Sequence, residues 1–273
     1  MCESKKVIQK AIKGTGTTQI VEQNNYYGMT AEEVSRLAIG LFMDNFPKLQ
    51  EEAQRVAQDR VEEFCQKIIQ KLQEQGKTDF GEFSDPDMQF ILNKSQHEYA
   101  RFGTNELLEL LSEIIINRVN YNNDYYMKII LDEAIDIAKS LSDMHLNYLS
   151  LTFLCKHTIK KEINSVEALK EHCEYICTKL PVPCEITNSI PLLNMLRLLE
   201  ISVGFASDVY SENYNLDLNV VKEILPNMLN SIPTDYRLSP VGIVIAIINI
   251  HRKTDMKLNI ETWIKIYSKI YFF

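Results

Sequence analysis

The chain is poor in proline and glycine, and it lacks an apolar run long enough to cross a membrane. It contains 8 prolines and 9 glycines among 273 residues, and 45% of its residues are hydrophobic and 24% charged, a composition that fits a globular protein able to bury a sizeable core. The longest apolar run covers residues 241–250, about half of what a membrane-spanning helix needs. No apolar stretch of signal-peptide type follows the first residues. We therefore expect a cytoplasmic protein with no membrane span.

Positive charge is also scarce. The chain has 29 Lys and Arg residues against 37 Asp and Glu residues, and its formal net charge is −8. Proteins that bind nucleic acids need a basic surface to neutralise phosphates. We therefore expect no nucleic-acid partner. The densest basic run is Lys5, Lys6, Lys10 and Lys13, near the start of the chain.

The six cysteines include no Cys-x-x-Cys pair of the kind that structural zinc sites use. In a reducing cytoplasm we expect free thiols. His172, Cys173, Cys177 and Cys184 form the only cluster of soft metal ligands in the sequence, and Cys173 and Cys177 are one helical turn apart. The same two cysteines fit the buried face of a helix, where cysteine behaves as a small apolar residue. We predict no metal and no cofactor, and these four residues are the candidates for a zinc site.

No catalytic motif is recognisable. The sequence has no HExxH metal motif and no nucleophile elbow. The loop at Lys13–Gly16 lacks the strand and the helix that must flank a phosphate-binding loop. Asp132, Glu133 and Asp136 are expected on a solvated helix face. We predict no catalytic residues; an enzyme whose site is assembled from distant residues is the alternative.

After Gly28 the pattern is helical. A capping box at Thr30 begins a helix, a break or kink is predicted at Asn45–Pro47, and helix continues over 48–75. Further helices are predicted over 86–101, 105–119, 125–141, 143–158, 166–180, 189–203, 218–232, 240–251 and 260–270. The run 241–250 is expected to be a buried helix. The chain is therefore predicted to be an all-α multi-helix bundle with a short β-prone N-terminal segment. Domains are predicted over 29–180 and 181–273, which could also form one continuous domain.

Residues 14–28 differ from the rest in being rich in Gly, Thr, Gln, Asn and Tyr, with one charge and no proline. Gln and Asn form hydrogen-bond ladders between stacked strands, and Ile, Val and Tyr favour a pleated surface. We predict that residues 1–28, called the leader below, are an assembly element that pairs with other chains by strand addition. The predicted contact residues are Gln19, Ile20, Val21, Gln23, Asn24, Asn25, Tyr26 and Tyr27. An ordinary edge strand or a mobile N-terminal arm is the alternative.

Two aromatic concentrations are candidates for contact with other proteins. One is Tyr121–Tyr126, and the other is Tyr267 with Tyr271, Phe272 and Phe273. Clustered aromatic side chains either pack the ends of helices or form an exposed interaction surface. The sequence leaves both interpretations open.

Several of these residues carry a resemblance to known families. The chain resembles the opening of an uncharacterised bacterial all-helical family. The residues that carry this resemblance are 19–30, Asn45–Leu49, Asp85–Asp87 and Leu107–Arg118. The leader alone resembles bacterial amyloid-signalling motifs, including those similar to the RIP homotypic interaction motif. Gln19, Ile20 and Val21 match part of its Val/Ile-Gln-Val/Ile-Gly tetrad. Glu22 stands where glycine is expected, and stacked glutamates would repel each other, so a finite β-mediated oligomer is favoured over amyloid.

This resemblance also implies a function, because proteins with such leaders often belong to bacterial anti-phage immunity. It implies a non-enzymatic sensor or adaptor that oligomerises and passes a signal onward. The expected partners are other copies of the chain and a protein effector or phage component. A helical toxin or nuclease-type effector without a recognisable motif and a constitutive structural homo-oligomer are the alternatives.

Overall fold

The structure is a computed structural model that describes residues 31–77, 80–183, 189–201, 206–225 and 236–270. The chain divides into two compact units, 1–52 and 53–273. The described residues of the first unit are helical and form the beginning of α1. The second unit contains the core and all the sites considered below.

The described residues form a helical protein with one small sheet. The helices are α1 (Ala31–Glu74), α2 (Pro86–Phe102), α3 (Asn105–Asn120), α4 (Tyr125–Ala138), α5 (Asp143–His157), α6 (Val166–Lys179), α7 (Ile190–Met195), α8 (Ala206–Tyr214), α9 (Leu218–Ile224), α10 (Pro240–Lys253) and α11 (Ile260–Ile270). A 3-10 helix covers Gly81–Ser84, and the strands are β1 (Leu199–Ile201) and β2 (Tyr236–Leu238). The all-α prediction is confirmed. In the described part of the chain, no helix combines the length and the apolar content needed to cross a membrane.

Helix α2 shows how the local sequence sets the ends of an element. The Asp85 carboxylate accepts hydrogen bonds from the backbone N–H groups of Asp87 and Met88 at 2.8 and 3.2 Å, and Pro86 occupies the first turn. The helix ends at Gly103, whose φ of 62° lies in the left-handed region. The Arg60 guanidinium on α1 lies against this glycine and donates to the carbonyl oxygen of Ala100 at 2.7 Å. Both predicted ends of α2 are confirmed to within a residue.

Helix α10 is the centre of the core. Every residue from Gly242 to Ile250 is buried, so the predicted buried helix is confirmed. It packs against α3, α4, α5 and α11. At Gly242 a side chain would not fit, because a Cβ atom there would lie 2.5 Å from the carbonyl oxygen of Leu198. Since α10 follows Pro181 and contacts helices that precede it, the described residues on both sides of that proline share one core. The boundary predicted there stays a prediction.

Four sequence predictions are wrong in their extent. Helix α1 continues through Pro47, because one missing N–H removes only one hydrogen bond and the turns on either side keep theirs; a kink there stays a prediction. Helix α4 ends at Ala138 rather than at residue 141, since Lys139 already caps it. Helix α9 ends at Ile224 rather than at residue 232, because Leu225 precedes a proline and has extended backbone.

The fourth error concerns the helix predicted over 189–203. Helix α7 ends at Met195, and Arg197 has a positive φ of 54° that turns the chain into β1. Strand β1 pairs antiparallel with β2, with Leu199 opposite Leu238 and Ile201 opposite Tyr236. Strands of three residues are too short to show an alternating pattern, so no strand was predicted here. Helix α8 was not predicted either.

Candidate functional site

The contact residues predicted in the leader, Gln19 to Tyr27, lie outside the described residues. The same holds for Cys184, Tyr271, Phe272 and Phe273. Tyr267 belongs to α11, but only its backbone is described. The candidate sites below are therefore built from the helical body, 53–270.

The soft-ligand cluster is a group of thiols in or against the core. Cys173 is buried, and Cys177 packs against the core one turn later on α6. Cys155 on α5 joins them, and the Tyr210 hydroxyl donates to its Sγ at 3.4 Å. Burial raises the pKa of Cys155 to about 11 and that of Cys177 to about 12, and it raises the pKa of Cys173 further. Since zinc binds thiolates, these thiols are poor ligands near neutral pH. Among the described residues, no group of three or more Cys, His, Asp or Glu side chains could hold a metal ion.

His172 belongs to no metal-binding group among the described residues. It lines a cavity of about 230 Å³ together with Lys160 and Tyr175. Its Nδ1 is buried and has no hydrogen-bond partner among the described residues. Burial, with a smaller contribution from the Lys160 charge, lowers the pKa of His172 to about 4. His172 is thus a neutral histidine beside the core near pH 7.

A row of ion pairs joins α2 to α4, and we call it the α2–α4 seam. It consists of Asp87 with Lys128, Lys94 with Asp136, and Glu98 with Lys139. The partners advance together along the two helices, so α2 and α4 run in the same direction here.

Under the seam lies Arg118 of α3, which has no exposed side-chain surface. Its Nε donates to Asp132 at 2.9 Å, its Nη1 donates to Asn122 at 3.0 Å, and its Nη2 donates to Asp87. Asp132 was predicted on a solvated face, and this is wrong: the carboxylate is half-buried and paired, and burial raises its pKa despite Arg118. The ammonium of Lys128, with Arg118, lowers the pKa of Asp87. Arg118 thus ties three helices together.

Arg118 was missed by the sequence analysis, although a signal was present. It lies seven residues after Leu111 and four after Ile114, in register with buried apolar positions of α3. A charged residue at such a position needs buried partners of opposite charge.

Large apolar side chains flank the seam on its solvent side. They are Phe90 on α2 and Tyr125, Tyr126 and Ile129 on α4, and their exposed fractions lie between 45% and 79%. Phe90 is about one turn from both Asp87 and Lys94, while Ile129 follows Lys128 directly, so both residues border the seam. These four residues, called the α2–α4 surface, are an exposed apolar area on two ion-paired helices. Of the aromatic run Tyr121–Tyr126, Tyr121 packs on the core and the last two tyrosines are exposed.

A buried polar network crosses the contact between α5 and α10. The ammonium of Lys253 pairs with Asp143 at 2.7 Å, and the side-chain amide of Asn147 donates to Asp143 at 3.2 Å. The amide of Asn249 donates to the Asn147 oxygen at 3.2 Å and to the Ser150 hydroxyl at 2.9 Å. Because these polar groups satisfy each other inside an apolar core, they fix the register of the two helices.

A second cavity, of about 370 Å³, lies where α3 and α5 begin. Its polar lining is formed by Thr104, Glu106, Lys139, Ser140, Ser142, Asp143 and His145, and its apolar lining by Phe102, Leu107, Ala138 and Leu141. The sequence contains no motif that predicts it, because its walls come from the ends of four helices that only the fold brings together.

Comparison with known proteins identifies one relationship. A family model whose description names no activity matches residues 28–219, more than half of the chain. The chain belongs to this family. A search of the curated proteins and a search of the solved structures each gave no match. The resemblance to an uncharacterised family is thereby confirmed, although the match leaves out residues 19–27. The likeness of the leader to amyloid-signalling motifs stays a prediction, as does the link to anti-phage defence.

Proposed function

We propose that the protein is a non-enzymatic sensor or adaptor of bacterial anti-phage defence, which assembles through its leader and presents the α2–α4 surface to a partner protein. The observation that carries the second half of this proposal is the exposure of Phe90 on α2 and of Tyr125, Tyr126 and Ile129 on α4, the two helices that the seam joins. Exposed aromatic and apolar side chains that lie together are typical of protein interaction sites. The seam holds the two helices that carry them, so little order would be lost on binding.

The leader supports the first half of the proposal. The family model begins at residue 28, and helix α1 begins at Ala31. The leader is thus attached to a helical family domain rather than included in it. Its Gln, Asn, Ile and Val content suits strand pairing between copies, through Gln19 to Tyr27. The resemblance of Gln19–Val21 to amyloid-signalling tetrads supports a role in cytoplasmic phage defence.

The charges around the α2–α4 surface indicate what kind of partner fits it. Glu133 lies one turn after Ile129, is exposed, and has no ion pair among the described residues. Four other carboxylates near the surface already have partners: Asp87 and Asp136 pair with lysines, Asp132 pairs with Arg118, and Asp124 accepts from the backbone N–H groups that begin α4. The partner in this proposal is an effector protein whose contact surface combines apolar side chains with a basic residue opposite Glu133. Such a charge at the rim favours the rate and orientation of association more than its final strength.

The proposal is tested by phage plating on cells that express the chain with its neighbouring genes. A deletion of residues 1–28 and a double variant, Tyr125→Ser with Ile129→Ser, are each expected to restore plaque formation. Met195→Ser is the matched control, because Met195 is 71% exposed and lies on α7, away from the α2–α4 surface. Met195→Ser should protect like the unchanged protein.

The variants also separate the two halves of the proposal. Both should keep the helix content of the unchanged chain in circular dichroism, because Tyr125 and Ile129 are exposed and helix α1 begins only at Ala31. If the double variant protects as well as the unchanged protein, the α2–α4 surface is not the partner site. If the leader deletion protects as well, the assembly role is wrong.

A further inference from the structure

The cavity at the beginning of α3 and α5 has hydrogen-bonding groups that the fold leaves unused. Two of them, His145 and Glu106, are on opposite helices, and both line the cavity. The remaining lining is partly apolar, with Leu107 and Leu141 among its residues. A cavity of about 370 Å³ whose lining combines polar groups with apolar side chains is of a size that small molecules occupy.

His145 presents a hydrogen-bond donor whose ring nitrogen follows from its contacts. Its Nδ1 accepts a hydrogen bond from the backbone N–H of Ser142 at 3.1 Å, because His145 is the N3 residue of the capping box of α5. A ring nitrogen that accepts a hydrogen bond carries no proton, so the neutral ring is protonated at Nε2. Burial lowers the pKa of His145, which keeps the ring neutral near pH 7.

This Nε2–H has no hydrogen-bond partner among the described residues. The residue as a whole is only 8% exposed, while its Nε2 atom stays accessible in the cavity wall. The donor can therefore bind a ligand oxygen there.

Glu106 presents an acceptor. It is the second residue of α3, and within the described part of the chain its carboxylate makes no hydrogen bond or ion pair. The Arg252 guanidinium attracts it from a longer distance.

The other charges at the cavity are already balanced. Lys139 pairs with Glu98, and Asp143 pairs with Lys253. The wall therefore keeps one carboxylate, that of Glu106, without an ion pair among the described residues. A carboxylate repels a phosphate and accepts strongly from an N–H donor. The cavity thus suits a ligand that presents one N–H donor and one oxygen acceptor.

We propose that this cavity binds a small uncharged molecule with a lactam group, in which the ring N–H donates to the Glu106 carboxylate and the carbonyl oxygen accepts from the His145 Nε2–H. Guanine and uracil nucleosides have this group, and their flat rings would pack against Leu107 and Leu141. The site does not involve the leader or the α2–α4 surface, so it stands or falls independently of the function proposed above.

The test is isothermal titration calorimetry of the full chain with guanosine, uridine and adenosine. Guanosine or uridine should bind, and adenosine should bind at least tenfold more weakly because it has no lactam N–H. 1-Methylguanosine, which lacks the N–H that would contact Glu106, should show the same loss relative to guanosine.

Three variants locate the site. Glu106→Gln and His145→Gln should each weaken binding at least tenfold. Glutamine at position 145 can still accept from the Ser142 N–H as in a Ser-x-x-Gln capping box, so the helix start is kept while the imidazole donor is lost. Glu167→Gln is the matched control, because Glu167 is also the second residue of its helix, α6, and is exposed away from the cavity. This control should bind like the unchanged chain.

The proposal is overturned if neither guanosine nor uridine binds, or if adenosine binds as well as they do. It is also overturned if binding survives in both cavity variants or falls equally in Glu167→Gln. Melting curves without ligand show whether each variant is folded, and the ring nitrogen NMR shifts of His145 check that Nε2 carries the proton.

Discussion

Replacing Arg118 by methionine tests whether the buried guanidinium ties α2, α3 and α4 together. The change removes three hydrogen-bonded contacts, to Asp87, Asn122 and Asp132, while nearly keeping the apolar volume of the side chain. Breaking a buried ion pair typically costs about 3–5 kcal/mol. Asp87 is half-exposed and keeps Lys128, whereas Asp132 becomes a half-buried carboxylate without its main partner. We therefore expect a loss near the lower limit, about 3 kcal/mol.

The assay is thermal unfolding followed by circular dichroism at pH 7. A loss of about 3 kcal/mol corresponds to a melting temperature roughly 6–12 °C lower in a chain of this size. Lys170→Met is the control, because Lys170 pairs with Glu174 at 3.9 Å and both side chains are more than half exposed, so its effect should stay within about 0.5 kcal/mol. Adding Asp132→Leu to Arg118→Met should restore part of the loss, since the carboxylate without a partner is removed. Equal melting temperatures for Arg118→Met and Lys170→Met would refute the reasoning.

Three further predictions concern the body. Burial lowers the pKa of His157 to about 4, so the stability that the neutral ring contributes should be complete above about pH 6.5. This contribution should fall by about 2–3 kcal/mol as the pH drops towards 4. In denaturant unfolding, His157→Phe should lose less stability than the unchanged chain across that range. Gly242→Ala should lower the melting temperature, because its Cβ would lie 2.5 Å from a backbone oxygen that cannot move freely, and a melting temperature equal to the unchanged chain's would contradict this. Asn249→Leu should cost about 1–3 kcal/mol in the same assay by leaving Asn147 and Ser150 without its amide; no loss would show that the polar network adds nothing to stability.

The sequence predicted those elements whose signals are local. The ends of α2 follow from Asp85-Pro86 and Gly103, and the buried character of α10 follows from an apolar run with almost no interruption. The helix break predicted at Pro47 was wrong, because a proline in the sequence does not show whether the helix on either side is stable enough to continue through it. Strand β1 was missed because pairing with β2, more than thirty residues later, decides its conformation.

The candidate sites were less predictable than the fold. Exposure of Tyr125 and Tyr126 was one of two interpretations of the aromatic run, but only the ion pairs between α2 and α4 relate these tyrosines to Phe90. The unused donor of His145 follows from a capping contact that fixes which ring nitrogen accepts. That His145 and Glu106 line the same cavity is a result of tertiary packing, which residue spacing alone does not reveal.

The central claim, assembly through the leader, is tested most directly by the mass of the chain in solution, measured by light scattering after size-exclusion chromatography. We predict that the unchanged chain is an oligomer. Ile20→Pro should lower its mass, because proline removes a backbone N–H donor from the strand pairing. Glu22→Gln should raise the mass at low salt, because it removes the repulsion between stacked copies. The helix content should be equal in all three. Identical masses for the unchanged chain, Ile20→Pro and Glu22→Gln would contradict the account.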